Sequence, residues 1–340
     1  MENKDKLFKF NKDITWSLPV LCRYEPAWGA IYKCLQQIDV TLPRINAYGS
    51  PPNDWTAGRI PAWVGDINKN AITTTFNYLM NLNATPSLTF TYRGITKENL
   101  KDPQANYLLD IALEAKAHFI VYSDLLKDYI KEKDPDAYIV ASIIKAQEAF
   151  QHPLTLPYYE EEKETEFYNK LLKEYDMVVV RPEYAIATLA DNPTLIEDLS
   201  RIEVLINQQC ITNCPRMAAH CTLTEKYRKR DKLEINPNFR CLRNDMSGLK
   251  EVYENSNTLN GATTKKLVDA GVRHLKLQGR GGKDSIHHHT LRMFAQMFYT
   301  NGAPYVLIEE LLGHAIDKEI NYYVNLMNQA ADENCKVIHY

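Results

Sequence analysis

The chain has 340 residues, of which 45% are hydrophobic and 24% are charged, the balance of an ordinary globular protein. Its 40 Lys and Arg residues against 43 Asp and Glu give a formal charge of −3, which argues against a protein that coats DNA through bulk positive charge. No apolar stretch reaches the roughly 20 residues that a membrane span needs. The first residues lack the apolar core of a signal peptide, so we expect a cytoplasmic protein with no membrane partner.

Short runs of apolar and β-branched residues recur along the chain, and each run predicts a strand. Runs such as MVVV are continuous rather than alternating, which is typical of strands covered on both faces. The predicted strands are Ser17–Cys22, Arg44–Tyr48, Ser87–Tyr92, His118–Ser123, Tyr138–Ile143, Met177–Pro182, Ile202–Asn207 and His274–Gln278.

Helical patterns lie between most of these strands. The predicted helices are Thr96–Ala117, Asp124–Lys131, Glu160–Tyr175, Asn192–Ser200, Thr263–Ala270 and His287–Tyr299. Alternating strands and helices indicate a parallel sheet, and eight strands fit a closed (β/α)8 barrel of the TIM type, whose usual size is about 250 residues. A doubly wound open sheet is the alternative.

Two inserted segments interrupt the alternation of strands and helices, and a helical segment follows it. We predict a single TIM-like barrel domain over residues 1–340. It contains an ordered loop at Gly49–Asp66 and an inserted cysteine-bearing segment at 210–261. Residues 303–340 form a predicted C-terminal helical extension that packs outside the barrel.

The seven cysteines are unevenly placed. Cys22, Cys34 and Cys335 lie alone, whereas the inserted segment holds Cys210, Cys214, Cys221 and Cys241. In a reducing cytosol such a group indicates metal or redox chemistry, and four thiolates can hold a 4Fe–4S cluster or zinc. The spacing lacks the two matched pairs that are usual for structural zinc, so it favours the cluster. Buried structural cysteines are the alternative.

A glycine-rich stretch follows the last predicted strand. Glycines in the sequence GRGGK let the backbone approach a ligand, and a helix start attracts anions. Arg280 and Lys283 add positive charge, so we expect this loop to hold a carboxylate or phosphate. A tight turn capped by Asp284 or Ser285 is the alternative.

Other polar residues follow predicted strands and are placed only by the barrel. These weaker candidates are Asn46, Tyr48, Tyr92, Arg93, Ser123, Asp124, Lys145, Arg181, Glu183 and Asn207. A hydrogen-bonded residue at the barrel rim is the plainer interpretation of each one. No motif of a serine hydrolase, zincin, P-loop or Rossmann protein is present in the sequence.

Two stretches of the sequence are similar to a known family when they are taken together. IEVLINQQCITNCPRMAAHC and HLKLQGR resemble the collagenase-like peptidase family U32 over Ile202–Arg280. The resemblance implies a barrel with a 4Fe–4S cluster at its carboxyl mouth, held by Cys210, Cys214, Cys221 and Cys241. It also implies an oxygen-independent hydroxylase of RNA bases or quinone precursors that takes its oxygen atom from prephenate.

The late-strand motif of the family matches Lys276 and Arg280 of this chain. Gln278 stands where that motif has glutamate, which puts an acid/base role there in doubt. The cysteine spacings also depart from those of the RNA-modifying and quinone-modifying members, so the substrate need not be theirs.

We therefore expect an iron–sulfur enzyme that hydroxylates a small aromatic substrate or an RNA base without oxygen. The expected catalytic residues are Arg280, Lys276 and Asn207, and the expected substrate-binding residues are Arg280, Lys283, Tyr48, Tyr92 and Arg93, with Trp55 also lining the pocket. A carboxylate co-substrate and a protein partner subunit are further expected partners.

Two other classes of function stay open. One is a metal-dependent peptidase in which a zinc-bound water works with Glu183 or His220. The other is a non-catalytic metal-binding subunit of a heteromeric complex. The identity of the bound metal separates these classes, because iron with sulfide indicates redox chemistry and zinc alone indicates hydrolysis or structure.

Overall fold

The protein is described by a computed structural model that covers residues 13–19, 21, 44–51, 53–56, 69–152, 154, 156–208, 210–226, 257–259 and 261–277. Several predictions lie outside the described residues. They concern Cys22, Cys34, Cys241, Cys335, the glycine-rich loop with Arg280 and Lys283, and the helices that follow it.

Eight parallel strands close into a barrel, which confirms the predicted (β/α)8 architecture and excludes the open doubly wound sheet. The barrel strands are β1 (Thr15–Leu18), β2 (Arg44–Gly49), β3 (Ala84–Phe90), β4 (His118–Val121), β5 (Ile139–Ala141), β6 (Met177–Val180), β7 (Ile202–Leu205) and β10 (His274–Lys276). Their order around the barrel is β1-β10-β7-β6-β5-β4-β3-β2. Pairing of β1 with β10, which aligns Trp16 with Leu275, joins the first strand to the last. Two further short strands, β8 (Asn207–Gln208) and β9 (Asn257–Thr258), pair antiparallel beyond β7.

Helices follow most of the strands, as a parallel barrel requires. They are α1 (Lys69–Asn81), α2 (Pro103–Glu114), α3 (Asp124–Lys133), α4 (Ile143–Phe150), α5 (Glu161–Glu174), α6 (Pro182–Tyr184), α7 (Met217–Lys226) and α8 (Gly261–Ala270). A π-helical turn at Ala185–Leu189 follows α6, and short 3-10 turns lie at Asn99–Lys101, Leu156–Tyr158, Pro193–Leu195 and Leu199–Arg201. None of the helices in the described part of the chain is long and apolar enough to cross a membrane.

Local side-chain chemistry sets where several helices begin. The Asp102 carboxylate accepts from the Ala105 N–H at 2.5 Å, and Pro103 follows at the first helical position of α2. Ser123 and Ser142 cap α3 and α4 in the same way. Such caps satisfy backbone N–H groups that have no partner within the helix. They place α3 and α4 directly after β4 and β5.

Several predicted boundaries differ from the structure, including that of β3, which begins at Ala84 rather than Ser87. Three of the differences have identifiable causes. The Asp102 cap makes a helix begin at Pro103, so the predicted helix Thr96–Ala117 is a 3-10 turn followed by α2. The predicted helix Asn192–Ser200 is two 3-10 turns instead, because Asp198 accepts from the Ser200 N–H at 3.0 Å and so competes with helical bonding. Strand β1 begins at Thr15, two positions before its predicted start, because Thr15 already pairs with Arg44 of β2.

Apolar side chains form two clusters, one on each side of the barrel wall. The larger cluster joins the outer faces of the strands to the helices and includes Trp16, Phe90, Phe119, Tyr168 and Leu275. The smaller cluster holds Tyr48, Ile120, Val140, Met177 and Val179. Because the smaller cluster takes alternate residues of its strands, it lies inside the barrel.

The amino-terminal end of the barrel interior carries two histidines. His118 begins β4 and stacks on the Tyr138 ring, with ring centroids 4.2 Å apart. His274 begins β10. Burial lowers the pKa of both side chains, and that of His118 falls to about 4. Both rings are therefore neutral at pH 7.

We predict that His118 makes the fold sensitive to acid. The unfolded chain takes up a proton at this residue near pH 6.5, whereas the folded chain resists protonation down to about pH 4. The unfolded state therefore binds more protons in this window, and the free energy of unfolding falls as the pH falls. The loss at His118 should be on the order of 2–3 kcal/mol.

Urea denaturation between pH 7 and pH 4 would measure this effect in the wild type and in His118→Phe. The variant should lose less stability on acidification than the wild type, and a control His152→Phe should follow the wild type. Identical pH dependence of wild type and His118→Phe would show that His118 is not the group responsible.

Candidate functional site at the carboxyl-terminal mouth of the barrel

The carboxyl ends of all eight barrel strands meet at one end of the molecule, because the strands are parallel. Residues that follow these ends converge on a common mouth, where the active sites of such barrels lie. The cysteine-bearing segment follows β7 directly and so begins at this mouth.

Three of the predicted metal ligands lie on the described part of this segment. The side chains of Cys210, Cys214 and Cys221 are all half-buried. The Cys214 carbonyl accepts from the Met217 N–H at 3.1 Å where α7 begins, and Cys221 lies within α7. Within the described ranges, no three or more His, Cys, Asp or Glu side chains are grouped closely enough to hold a metal ion. The fourth predicted ligand, Cys241, lies outside those ranges.

Asn257 anchors the start of the cysteine segment. Its backbone N–H donates to the Cys210 carbonyl at 3.1 Å, and its side-chain amide oxygen accepts from the Thr212 hydroxyl at 2.9 Å. Its side-chain N–H₂ donates to Glu183 Oε1 at 2.7 Å. Asn257 is buried and belongs to β9, so the two ends of the inserted segment are tied together at this point.

Glu183 is a buried carboxyl group beneath the cysteine segment. One of its oxygens accepts from both Asn257 and the Gln151 amide, whereas its other oxygen, Oε2, is buried without a hydrogen-bond partner. Burial raises the pKa of Glu183, although the Arg181 guanidinium acts in the opposite direction. A carboxyl group with a raised pKa at the mouth of a cleft is suited to proton transfer.

Arg181 is committed mainly to another buried carboxylate. Its Nε and Nη2 bind the two oxygens of Glu164 at 2.8 and 2.6 Å, and the Tyr168 hydroxyl donates to the same carboxylate at 2.6 Å. Its Nη1 lies 3.9 Å from Glu183 Oε2 and is buried without a hydrogen-bond partner. Arg181 therefore holds α5 against β6 and supplies positive charge beside Glu183.

Arg93 joins α7 to the barrel wall. Its Nε and Nη2 bind the two oxygens of Glu225 at 2.7 and 2.9 Å, and Nη2 also donates to the Thr222 hydroxyl at 2.9 Å. Its Nη1 contacts Glu148 of α4 at 3.3 Å. Bidentate arginine–carboxylate pairs fix orientation as well as distance. Arg93 therefore positions the helix that carries Cys221.

A second polar group lies inside the barrel below the mouth. Lys276 Nζ is 2.7 Å from Glu203 Oε2, with side-chain exposures of 8% and 1%. The Ser17 hydroxyl donates to the other oxygen of Glu203. Lys276 also lies over the Tyr48 ring, 4.4 Å from its centroid, and the Tyr48 hydroxyl donates to the Leu277 carbonyl at 2.6 Å. The group thus links β1, β2, β7 and β10 from within.

The structure places the other predicted site residues as follows. Tyr48 and Lys276 are buried in the barrel interior. Tyr92 is half-buried past β3, and its N–H donates to the Trp55 carbonyl at 3.0 Å. Asn207 pairs through its backbone with Thr258, and nothing is described of its side chain. Trp55, expected to line the pocket, is instead fully buried against Phe90 in the core because its indole N–H reaches the Asn99 carbonyl.

Sequence reasoning missed several residues that organise this end of the barrel. Glu203, Ser17 and Glu164 are buried and hydrogen-bonded, yet none was a candidate. Glu203 had a usable signal, because it is the one charged residue in the otherwise apolar run IEVLI. A charge within a buried strand requires a partner, and Lys276 of HLKL is the corresponding charge in β10.

The chain was compared with known proteins and solved structures. The solved structure of the U32 peptidase Mk0906 is similar to this chain, with a TM-score of 0.43 and 14% sequence identity, over 81% of this chain and 97% of that chain. No protein-family model and no curated protein matches the sequence.

We predict that removing one partner of the buried Lys276–Glu203 ion pair strongly destabilises the protein. Lys276→Met leaves the Glu203 carboxylate buried without its cation, which should lower the free energy of unfolding by about 3–5 kcal/mol. The matched control is Lys266→Met, which removes an ion pair of the same length, 2.7 Å to Asp191, at exposures of 60% and 63%. That exposed pair should contribute less than about 1 kcal/mol.

Chemical denaturation of the two variants measures the difference. Adding Glu203→Met to Lys276→Met should recover much of the loss, because the uncompensated charge is then removed. If Lys276→Met costs no more than Lys266→Met, the buried pair does not hold the barrel together.

Proposed function

We propose that this chain is a cytoplasmic iron–sulfur enzyme that hydroxylates an aromatic or nucleobase-like substrate without molecular oxygen. The proposal rests chiefly on one observation, the three half-buried thiols of a single segment that begins at the carboxyl mouth of a (β/α)8 barrel. Cys210, Cys214 and Cys221, with Cys241, would hold a 4Fe–4S cluster there.

The thiols suit such a cluster by their chemistry and position. Thiolates are soft ligands that bind iron–sulfur clusters, and partial burial protects a cluster while leaving one side accessible. The three described thiols do not form a ligand group by themselves. The proposal therefore requires the Cys241 segment to supply a ligand and to draw the others together.

When bound, the cluster supplies electron transfer for the reaction. The substrate C–H becomes C–OH, a two-electron oxidation. The oxygen atom comes from an oxygenated carboxylate co-substrate, which is reduced by the same two electrons as it loses that atom. We assign the carboxylate to Arg280 and Lys283 after β10. Tyr48, Tyr92 and Arg93 were expected to bind substrate, but the contacts of Arg93 with Glu225 and Glu148 assign it to holding α7.

The chain's own residues hold the ligands and move protons. Arg93 fixes the helix that carries Cys221, and Asn257 fixes the backbone of Cys210. Glu183 is the proposed proton acceptor or donor, since it is buried beside this segment with one oxygen unpartnered. We keep Lys276 and Asn207 as proposed catalytic residues because both follow or end strands at the carboxyl side of the barrel. Lys276 also contacts the ring of Tyr48, a proposed substrate-binding residue.

A zinc-dependent hydrolase is the second candidate, and Glu183 is the observation that favours it. A buried carboxyl with a raised pKa can act as general base toward a metal-bound water. His220, the other residue considered for this role, is half-buried on α7. This candidate requires zinc rather than iron on the same cysteines.

We predict that anaerobically purified protein contains about four irons and four sulfides per chain. Cys210→Ala and Cys214→Ala should each lose most of both elements and the broad visible absorbance. Cys335→Ala, outside the cysteine segment, serves as the matched control and should keep them. Elemental analysis and an ultraviolet–visible spectrum of each sample provide the measurement.

Three outcomes would contradict the proposal. Full iron and sulfide in both Cys210→Ala and Cys214→Ala would show that the ligands lie elsewhere. One zinc and no iron in the wild type would favour the hydrolase or a structural metal site. A bound partner subunit without metal would indicate the non-catalytic class.

A further inference from the structure

A cavity opens at the amino-terminal end of the barrel, opposite the cysteine segment. Its volume is about 510 Å³. Small-molecule sites in proteins commonly have volumes of about 300–1,000 Å³. The first residues of β1, β2, β4, β6 and β10 line it, namely Thr15, Arg44, His118, Met177 and His274. Most of the lining residues therefore belong to the barrel strands.

The cavity contains hydrogen-bonding groups that the described residues leave unsatisfied. His118 Nδ1 and His274 Nδ1 are both buried without a hydrogen-bond partner. Each nitrogen of a neutral histidine ring is either a donor or an acceptor, so each Nδ1 lacks a hydrogen bond that it could form. Such groups are rare in native proteins, because each one forfeits hydration on burial.

A hydroxyl group matches both rings. A hydroxyl both donates and accepts, so it satisfies either Nδ1 in either tautomer of its ring. Thr15, Thr85 and Asn46 provide further polar groups in the same wall. Asn46 also donates to the Ser17 hydroxyl at 3.3 Å. This bond connects the cavity to the Lys276–Glu203 ion pair inside the barrel.

The charge at the cavity rim is positive. Arg44 is exposed at the start of β2 and forms no ion pair with any residue of the described ranges. The Glu203 carboxylate, which lies deeper inside the barrel, is bound by Lys276 and Ser17. The Asp176 carboxylate, next to the lining residue Met177, is bound by Lys131 and by the Ile139 N–H. An anionic group on a ligand would therefore have the Arg44 guanidinium as its partner.

We propose that this cavity binds a small hydroxylated carboxylic acid, with its carboxylate on Arg44 and a hydroxyl between His118 and His274. This site is separate from the proposed cluster and does not depend on it. Because the cavity lies at the end of the barrel away from the mouth, the ligand would bind there without entering the candidate active site.

Matched pairs of acids test the proposal on the full chain with labelled histidine side chains. L-malate and citrate carry a hydroxyl, whereas succinate and tricarballylate have the same carboxylates without it. We expect malate or citrate to shift the ring signals of His118 and His274 in nuclear magnetic resonance spectra. The hydroxyl-free partner should bind about tenfold more weakly, which corresponds to one lost hydrogen bond.

Variants test the role of charge in the same titration. Arg44→Gln should weaken binding by about tenfold or more, since it removes the proposed carboxylate partner. Lys97→Gln is the matched control, because Lys97 is an exposed cation in the loop after β3, at the other end of the barrel. Inorganic phosphate, which also carries hydroxyl and anionic oxygens, is titrated alongside the acids. It tests whether the cavity selects a carboxylic acid or binds any small anion.

Four results would overturn the inference. The first is the absence of any shift at His118 and His274 with either hydroxy acid, and the second is equal binding by Arg44→Gln and the wild type. The third is phosphate binding as strong as that of the hydroxy acids, which would indicate a general anion site. The fourth is a crystal structure in which the cavity holds only water or residues 1–12 of the chain.

Discussion

The barrel depends on a buried ion pair at the seam where its first and last strands meet. Lys276 of β10 and Glu203 of β7 are in contact, and Ser17 of β1 binds the same carboxylate. In a low-dielectric interior neither charge is tolerable without the other. The pair therefore specifies which three strands lie side by side, and these strands close the barrel. Both stretches with predicted functional residues follow strands of this seam, the cysteine segment after β7 and the glycine-rich loop after β10.

The mouth of the barrel is organised by polar contacts rather than by apolar packing. Arg93 binds the helix that carries Cys221, and Asn257 binds the backbone of Cys210. Glu183 lies between these anchors and the Arg181–Glu164 pair. Such contacts are directional, so they can position thiols and a proton-transfer group to within a fraction of an ångström. An iron–sulfur enzyme would need this control over its ligands.

Much of the fold could be predicted from the sequence, because the barrel strands are continuous apolar runs. Runs such as MVVV have only one environment that suits them, a sheet covered on both faces. The helix after Ser123 was predicted, whereas the helix that Ser142 caps was not, because Ser142 lay within a predicted strand. The prediction failed where local bonding opposes the periodicity, as at Asp198, and where weak helix formers are held by tertiary contacts, as in the threonine-rich α1.

The candidate site could be predicted only in part. Cysteine spacing predicted the segment in which we propose the metal ligands, because four thiols grouped within one inserted loop indicate metal or redox chemistry. The partners of Glu203 and Glu183 could not be found in this way. Glu203 and Lys276 are separated by 73 positions, and Glu183 and Asn257 by 74, so only the closed barrel brings them together. A single sequence shows which charges are unusual, but the topology decides which of them meet.

The central claim is that the cysteine segment holds an iron–sulfur cluster at the carboxyl mouth. The most direct test is a crystal grown without oxygen, with diffraction recorded on both sides of the iron absorption edge. The account predicts a compact group of iron atoms in the anomalous difference map, bonded to the sulfur atoms of Cys210 and Cys214. The group should lie at the carboxyl mouth of the barrel, on the same side as Glu183. A signal that appears only at the zinc edge, or iron bound away from these cysteines, would contradict it.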